Sequence, residues 1–127
     1  MLDFSKIYLD TSDETKCEVI SMYVKEKQKS GNYGTYCLQK GQHKVNVVKD
    51  DDYIMTEFSD LKPGMTVKCC RDQFEEMDTG YLIGTHRRFK IEGIVKIKEA
   101  IILVTDDGII ASNDIHVELG IKKLSKI

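Results

Sequence analysis

Between Leu61 and Leu119 apolar residues recur mostly at every second position, the period of a β-strand with one buried face. Met65, Val67 and Cys69 alternate with Thr66, Lys68 and Cys70. The alternation resumes at Phe89 and runs through Ile91, Gly93, Val95 and Ile97. Ala100-Ile101-Ile102-Leu103-Val104 has no polar position, which predicts a strand buried on both faces. Ile109 to Ala111, and then Ile115, Val117 and Leu119, bring the total to about five short strands. The breaks between them have turn chemistry. Pro63 presets φ near −65° and Gly64 enters positive φ freely, as the centre of a type II turn requires. Asp106-Asp107-Gly108 predicts a tight hairpin turn, and Ser112-Asn113-Asp114 is a polar break.

Upstream the pattern is mixed. Lys6 to Leu9 predicts a short strand, and Thr11 and Glu14 stand at capping-box spacing. Cys17, Val19, Ile20, Tyr23 and Val24 share one arc of a 3.6-residue wheel, so a helix is expected from Ser12 to Lys29. Lys25, Lys27 and Lys29 complement its C-terminal dipole, and Gly31 is a natural stop. The β-branched and aromatic run from Val19 to Val24 leaves a strand entering a Ser30-Gly31-Asn32 hairpin as the alternative. Tyr36 to Leu38, Lys44 to Val48 and Tyr53 to Phe58 read as strands. Asp50-Asp51-Asp52 is a solvated loop: it lacks the alternating spacing and distal glutamate of a calcium-binding EF-hand.

The fold class expected is α+β and β-rich. Residues 1–60 form a strand-helix-strand segment packed on a barrel, residues 61–120 the barrel, and residues 121–127 a tail. The strand rhythm, with its Lys-Pro-Gly and Asp-Asp-Gly turns, resembles that of small SH3-like β-barrels over roughly half of the chain. That resemblance implies a scaffold that binds peptides, nucleic acids or nothing, and does not choose among them.

Composition narrows the classes. With 41% hydrophobic and 31% charged residues the chain is globular, not disordered. A net charge of −2 disfavours nucleic-acid binding through bulk electrostatics. The start lacks the basic and apolar regions of a signal peptide, and no apolar run reaches the ~20 residues that span a bilayer, so a cytoplasmic location without membrane contact is expected. Cys17, Cys37, Cys69 and Cys70 contain no C-x-x-C pair, so they read as small packing residues, with no metal and no disulfide.

No nucleophile elbow, P-loop, dinucleotide fingerprint or zinc-protease motif is present, and the histidines His43, His86 and His116 stand apart, so an enzyme is the less favoured class and no cofactor is expected. The informative stretch is 71–90. Its first half is acidic, and its second half gathers Tyr81, His86, Arg87, Arg88, Phe89 and Lys90. Arginine's planar fork suits a phosphate or carboxylate, with an aromatic ring to stack on. Arg87 and Arg88, being successive, point to opposite faces of a strand. The bland alternative is that the basic half pairs with the loop's own acidic half.

These residues point to a small binding module or inhibitor, of the kind found among bacterial or phage accessory proteins, acting through the 71–90 loop and a sheet edge on a protein partner. The alternative is a binding protein or enzyme that takes an anionic, nucleotide-like small molecule in an arginine-lined pocket, which in a homo-oligomer would lie between subunits.

Overall fold

The computed structural model describes residues 11–69, 73–77, 82–83, 87–115 and 119. The strand expected at 6–9, Cys70, Tyr81, His86, His116, Val117 and the tail at 121–127 lie outside the described residues. No helix among the described residues is long and apolar enough to cross a membrane.

The first described element is helix α1 (Asp13–Ser30), which settles the helix-or-strand choice. Its cap is Ser12 and not Thr11: the Ser12 hydroxyl accepts from the Thr15 N–H at 3.2 Å, and the Lys16 N–H closes the first turn on the Ser12 carbonyl at 3.0 Å. The helix stops before Gly31, whose φ of 173° is ordinary extended backbone.

Nine strands follow: β1 (Gly34–Leu38), β2 (Lys44–Lys49), β3 (Asp52–Glu57), β4 (Thr66–Lys68), β5 (Phe74–Glu76), β6 (Leu82–Ile83), β7 (Arg88–Ile97), β8 (Ala100–Thr105) and β9 (Gly108–Ala111). They form one sheet in the order β3-β2-β4-β7-β8-β9-β1-β5-β6. Residue 60 falls inside this order: β1 to β3 precede it in sequence, β4 to β9 follow, and the two sets interleave. Two features differ from the sequence expectation. Part of the polar excursion after residue 70 is sheet, because Phe74 and Met77, both 1% exposed, are drawn into the core and carry β5 onto β1. No strand is assigned at Ile115 or Leu119. The Leu119 N–H donates to the Ile115 carbonyl at 3.1 Å, a four-residue spacing that belongs to a turn.

The sheet curls into a half-barrel. Its concave face holds one apolar cluster that includes Tyr36, Val45, Val67, Phe89, Ile91 and Leu103, residues from strands far apart in the order that meet only because the sheet bends round them. Its convex face carries the second cluster, where Ile20 and Val24 of α1 pack on Val95, Ile97, Ile102, Val104 and Ile109. The switch happens in β7. Its register against β8 slips by one residue between Ile91 and Gly93, so Phe89 and Ile91 face the concave core whereas Val95 and Ile97, of the same parity, face the helix. The helix is pinned by polar contacts as well. Lys16, 8% exposed, donates to the Lys96 carbonyl at 3.0 Å, and Asp13 accepts the Lys98 N–H of the β7–β8 turn at 3.1 Å.

Val104 is fully buried under the helix, so Val104→Ala is expected to destabilise by ~1 to 3 kcal/mol in urea unfolding, and a loss near zero would contradict this packing. Cys17, Cys37 and Cys69 are free thiols. The protein unfolded without reductant is expected to titrate all four of its thiols, with a melting temperature indifferent to dithiothreitol.

Candidate functional site

Arg87 and Arg88 leave the sheet in opposite directions. Arg87 turns to the concave side, where its Nε donates to Asp107 Oδ2 at 3.1 Å and its Nη atoms reach Asp107 and the Tyr36 hydroxyl. Its guanidinium carbon lies 5.2 Å from the ring centroids of both Tyr36 and Phe89, which meet edge-to-face at 5.6 Å. Burial opposes the charge, yet the bonds to Asp107 and Tyr36 hold the guanidinium above its ordinary pKa. Burial likewise raises the Tyr36 phenol, against the downward pull of Arg87. The glycines explain the room. Gly34 and Gly108 are partners in the parallel β1–β9 pair, and a Cβ on Gly34 would stand 2.1 Å from the Tyr36 hydroxyl. Arg87 therefore has an internal partner, Asp107, supplied by the β8–β9 turn.

Arg88 and Lys90 point the other way, onto convex surface that α1 leaves bare. The cross-strand registers place Lys44, Asn46, Val48, Tyr53, Met55, Thr66 and Lys68 on the same face. Lys68 is directly opposite Arg88, and Thr66 is opposite Lys90. The Lys68 ammonium reaches across β2 to the Tyr53 hydroxyl at 2.6 Å and stands 4.0 Å from the centroid of its ring. Glu57, the carboxylate β3 adds to this face, is engaged by His43 at 3.0 Å. The structure thus splits the six residues singled out from sequence. Arg87 and Phe89 are concave, Arg88 and Lys90 convex, and Tyr81 and His86 lie outside the described residues. Sequence reasoning missed Tyr53 and Lys68. The available signal was the outward parity shared by Lys44, Lys68, Arg88 and Lys90, which becomes visible only once the strands are paired.

Among the described residues, one end of the sheet is β3, whose outer edge has no partner strand. Tyr53, Ile54 and Met55 are 42%, 47% and 49% exposed, three consecutive large apolar residues on one edge. The Phe58 N–H donates to the His43 carbonyl, so the bonded β2–β3 pairs alternate from there through Thr56, Ile54 and Asp52. The N–H groups of Tyr53, Met55 and Glu57 accordingly face away from β2. A cleft of about 580 Å³ beside Tyr33, Tyr36, Glu76 and Arg87 is polar, but its one arginine is already matched by Asp107. Among the described residues no cluster of three or more His, Cys, Asp or Glu side chains could hold a metal ion.

No family model, curated protein or solved structure matches this chain, so its function is argued from the geometry of these surfaces.

The two arginines should behave differently on substitution. Arg87→Ala removes bonds and ring contacts from a partly buried group and is expected to destabilise by about 1 to 2 kcal/mol in urea unfolding. Arg88→Ala is expected to stay within ~0.5 kcal/mol of the wild type. Equal losses for the two would contradict the division of faces.

Proposed function

We propose that the chain is a small binding module, or an inhibitor acting by binding, that uses its curled sheet as SH3-like barrels use theirs and docks a partner protein's extended segment along β3. The observation that carries this reading is the exposed run Tyr53-Ile54-Met55 on an edge that no described strand pairs. Sheet edges are ordinarily guarded by lysine, proline, bulges or extreme shortness, and β3 is six residues long with neither lysine nor proline in it. Strand addition would satisfy the outward N–H groups of Tyr53, Met55 and Glu57 and cover apolar side chains that water now touches.

Charge defines the occupant further. Asp50, Asp51 and Asp52 lie at one end of the edge and Asp60 beyond the other, which favours an apolar segment with basic residues at its ends. The same carboxylates oppose self-pairing: in an antiparallel β3–β3 pair centred on Met55, Asp50 would meet Asp60 of the second copy.

The test is hydrogen exchange on the complex with whatever partner tagged protein captures. The amides of Tyr53, Met55 and Glu57 are expected to gain protection, whereas Ile54, already bonded to β2, changes little. Met55→Pro deletes an outward donor without breaking the β2 ladder, and is expected to weaken the complex at least about tenfold while the free protein stays folded. A tight complex that leaves those three amides unprotected would place the binding surface elsewhere.

A further inference from the structure

We infer that the bare half of the convex face holds an anion site, in which Lys68 and Arg88 together receive a phosphoryl group of a small ligand. This inference is independent of the β3 edge reading.

The argument begins with a local arrangement that disfavours the empty protein. Lys68 and Arg88 are direct cross-strand partners, and residues so paired carry their Cβ atoms about 4.5 to 5.5 Å apart, a spacing at which like charges destabilise a sheet. The usual remedy is a carboxylate between them. None is found: among the described residues neither cation makes an ion pair, although the chain holds 21 acidic residues against 19 basic ones. What lies between them is Tyr53. Its hydroxyl takes the Lys68 ammonium at 2.6 Å, and Arg88 acts on the same phenol from the neighbouring strand. One neutral oxygen thus receives the Lys68 ammonium beside the Arg88 guanidinium, in the position an anionic oxygen would fill with a full charge. The hydrogen bonds from Lys68 and Arg88 also pull the Tyr53 phenol below the ordinary tyrosine pKa, which indicates that the local field favours negative charge there.

The chemistry points to phosphoryl. Arg88 presents a planar fork and Lys68 a point charge, so together they can reach different oxygens of one tetrahedral dianion. Lys90, exposed on the same face of β7, adds a third positive charge to the field. Contrast Arg87, whose fork is filled by Asp107. The open, solvent-washed setting implies modest affinity and strong dependence on ionic strength.

The test is a titration with pyrophosphate at low salt, followed by side-chain NMR of lysine, arginine and tyrosine and by thermal unfolding. Saturable shifts are expected at Lys68, Arg88 and Tyr53, with a rise in melting temperature that fades as sodium chloride is added. The phenol reports the same event from the other side. A bound dianion takes up the two cations, so the Tyr53 pKa should move back up toward the ordinary value. Arg88→Gln is expected to weaken pyrophosphate about tenfold or more while leaving the melting temperature of the empty protein unchanged or higher, because it relieves the like-charge pair. Lys62→Gln, at an exposed turn outside the paired strands, should change neither. Adenosine diphosphate in a parallel arm separates the sources: affinity equal to that of pyrophosphate means a bare phosphate ligand, and tighter binding means a nucleotide. Either supports the site. The inference is overturned if pyrophosphate shifts surface cations indiscriminately, or if Arg88→Gln gains as much thermal stabilisation from it as the wild type does.

Discussion

The arrangement of the molecule depends on one slipped residue in β7. Up to Ile91 the odd-numbered side chains of that strand fill the concave core; beyond Gly93 they meet the helix. β8 runs opposite without a slip, sending Leu103 inward and Ile102 and Val104 outward, so the extra residue in β7 bends the sheet and changes the face that its alternation serves. A continuous period of two in the sequence therefore supplies two cores. Without the slip, Val95 and Ile97 would crowd the concave side and α1 would have no apolar bed on which to lie.

That bend also decides where the surface chemistry falls. The helix needs only the part of the convex face made by the second half of β7, by β8, β9 and β1, and the Lys16 and Asp13 contacts to Lys96 and Lys98 fix it over that part. The remaining part, from β3 to the first half of β7, is backed by the concave core and has no layer above it among the described residues. Its outward positions are free of packing constraints, so residue choice there is limited mainly by what water tolerates. A sheet face under that relaxed rule would be expected to mix charges. The presence of Lys44, Lys68, Arg88 and Lys90, with Glu57 already held by His43, is a departure that packing does not explain.

Local features were legible in the sequence where short-range chemistry sets them. The Lys62-to-Met65 turn forms with Gly64 at φ 96°, β2 and β3 fall within a residue or so of their expected limits, and Val67, Ile91, Val95, Ile102 and Val104 are buried as their periodicity demands. The helix was legible too, although its cap sits one residue later than the Thr11–Glu14 spacing suggested. What could not be read was long-range. The parallel β1–β9 pair joins residues about seventy positions apart, with no turn between them to announce it. β5 lay concealed because Phe74 and Met77 are separated by two glutamates, which makes the segment look like a solvated loop until β1 offers it an edge. The candidate site was half legible for the same reason: Arg87-Arg88 is visible as a dipeptide, but Asp107, which satisfies one, and Lys68 with Tyr53, which join the other, come from distant strands.

The two neighbouring arginines make the physical distinction on which any functional reading of this chain must rest. Both are cations beside aromatic rings, and composition alone treats them as equals. Arg87 has a carboxylate within hydrogen-bond reach of its fork, a phenol at its end and two rings beneath it, so its charge is spent on holding the β8–β9 turn against β1 and β7. Arg88 is set against another cation and has no carboxylate partner among the described residues. An ion pair that closes on itself is a structural device. A pair of like charges held at fixed spacing by a sheet ladder is a mild repulsion that an external anion would relieve, and for that reason Arg88 with Lys68, and not Arg87, carries the argument for binding.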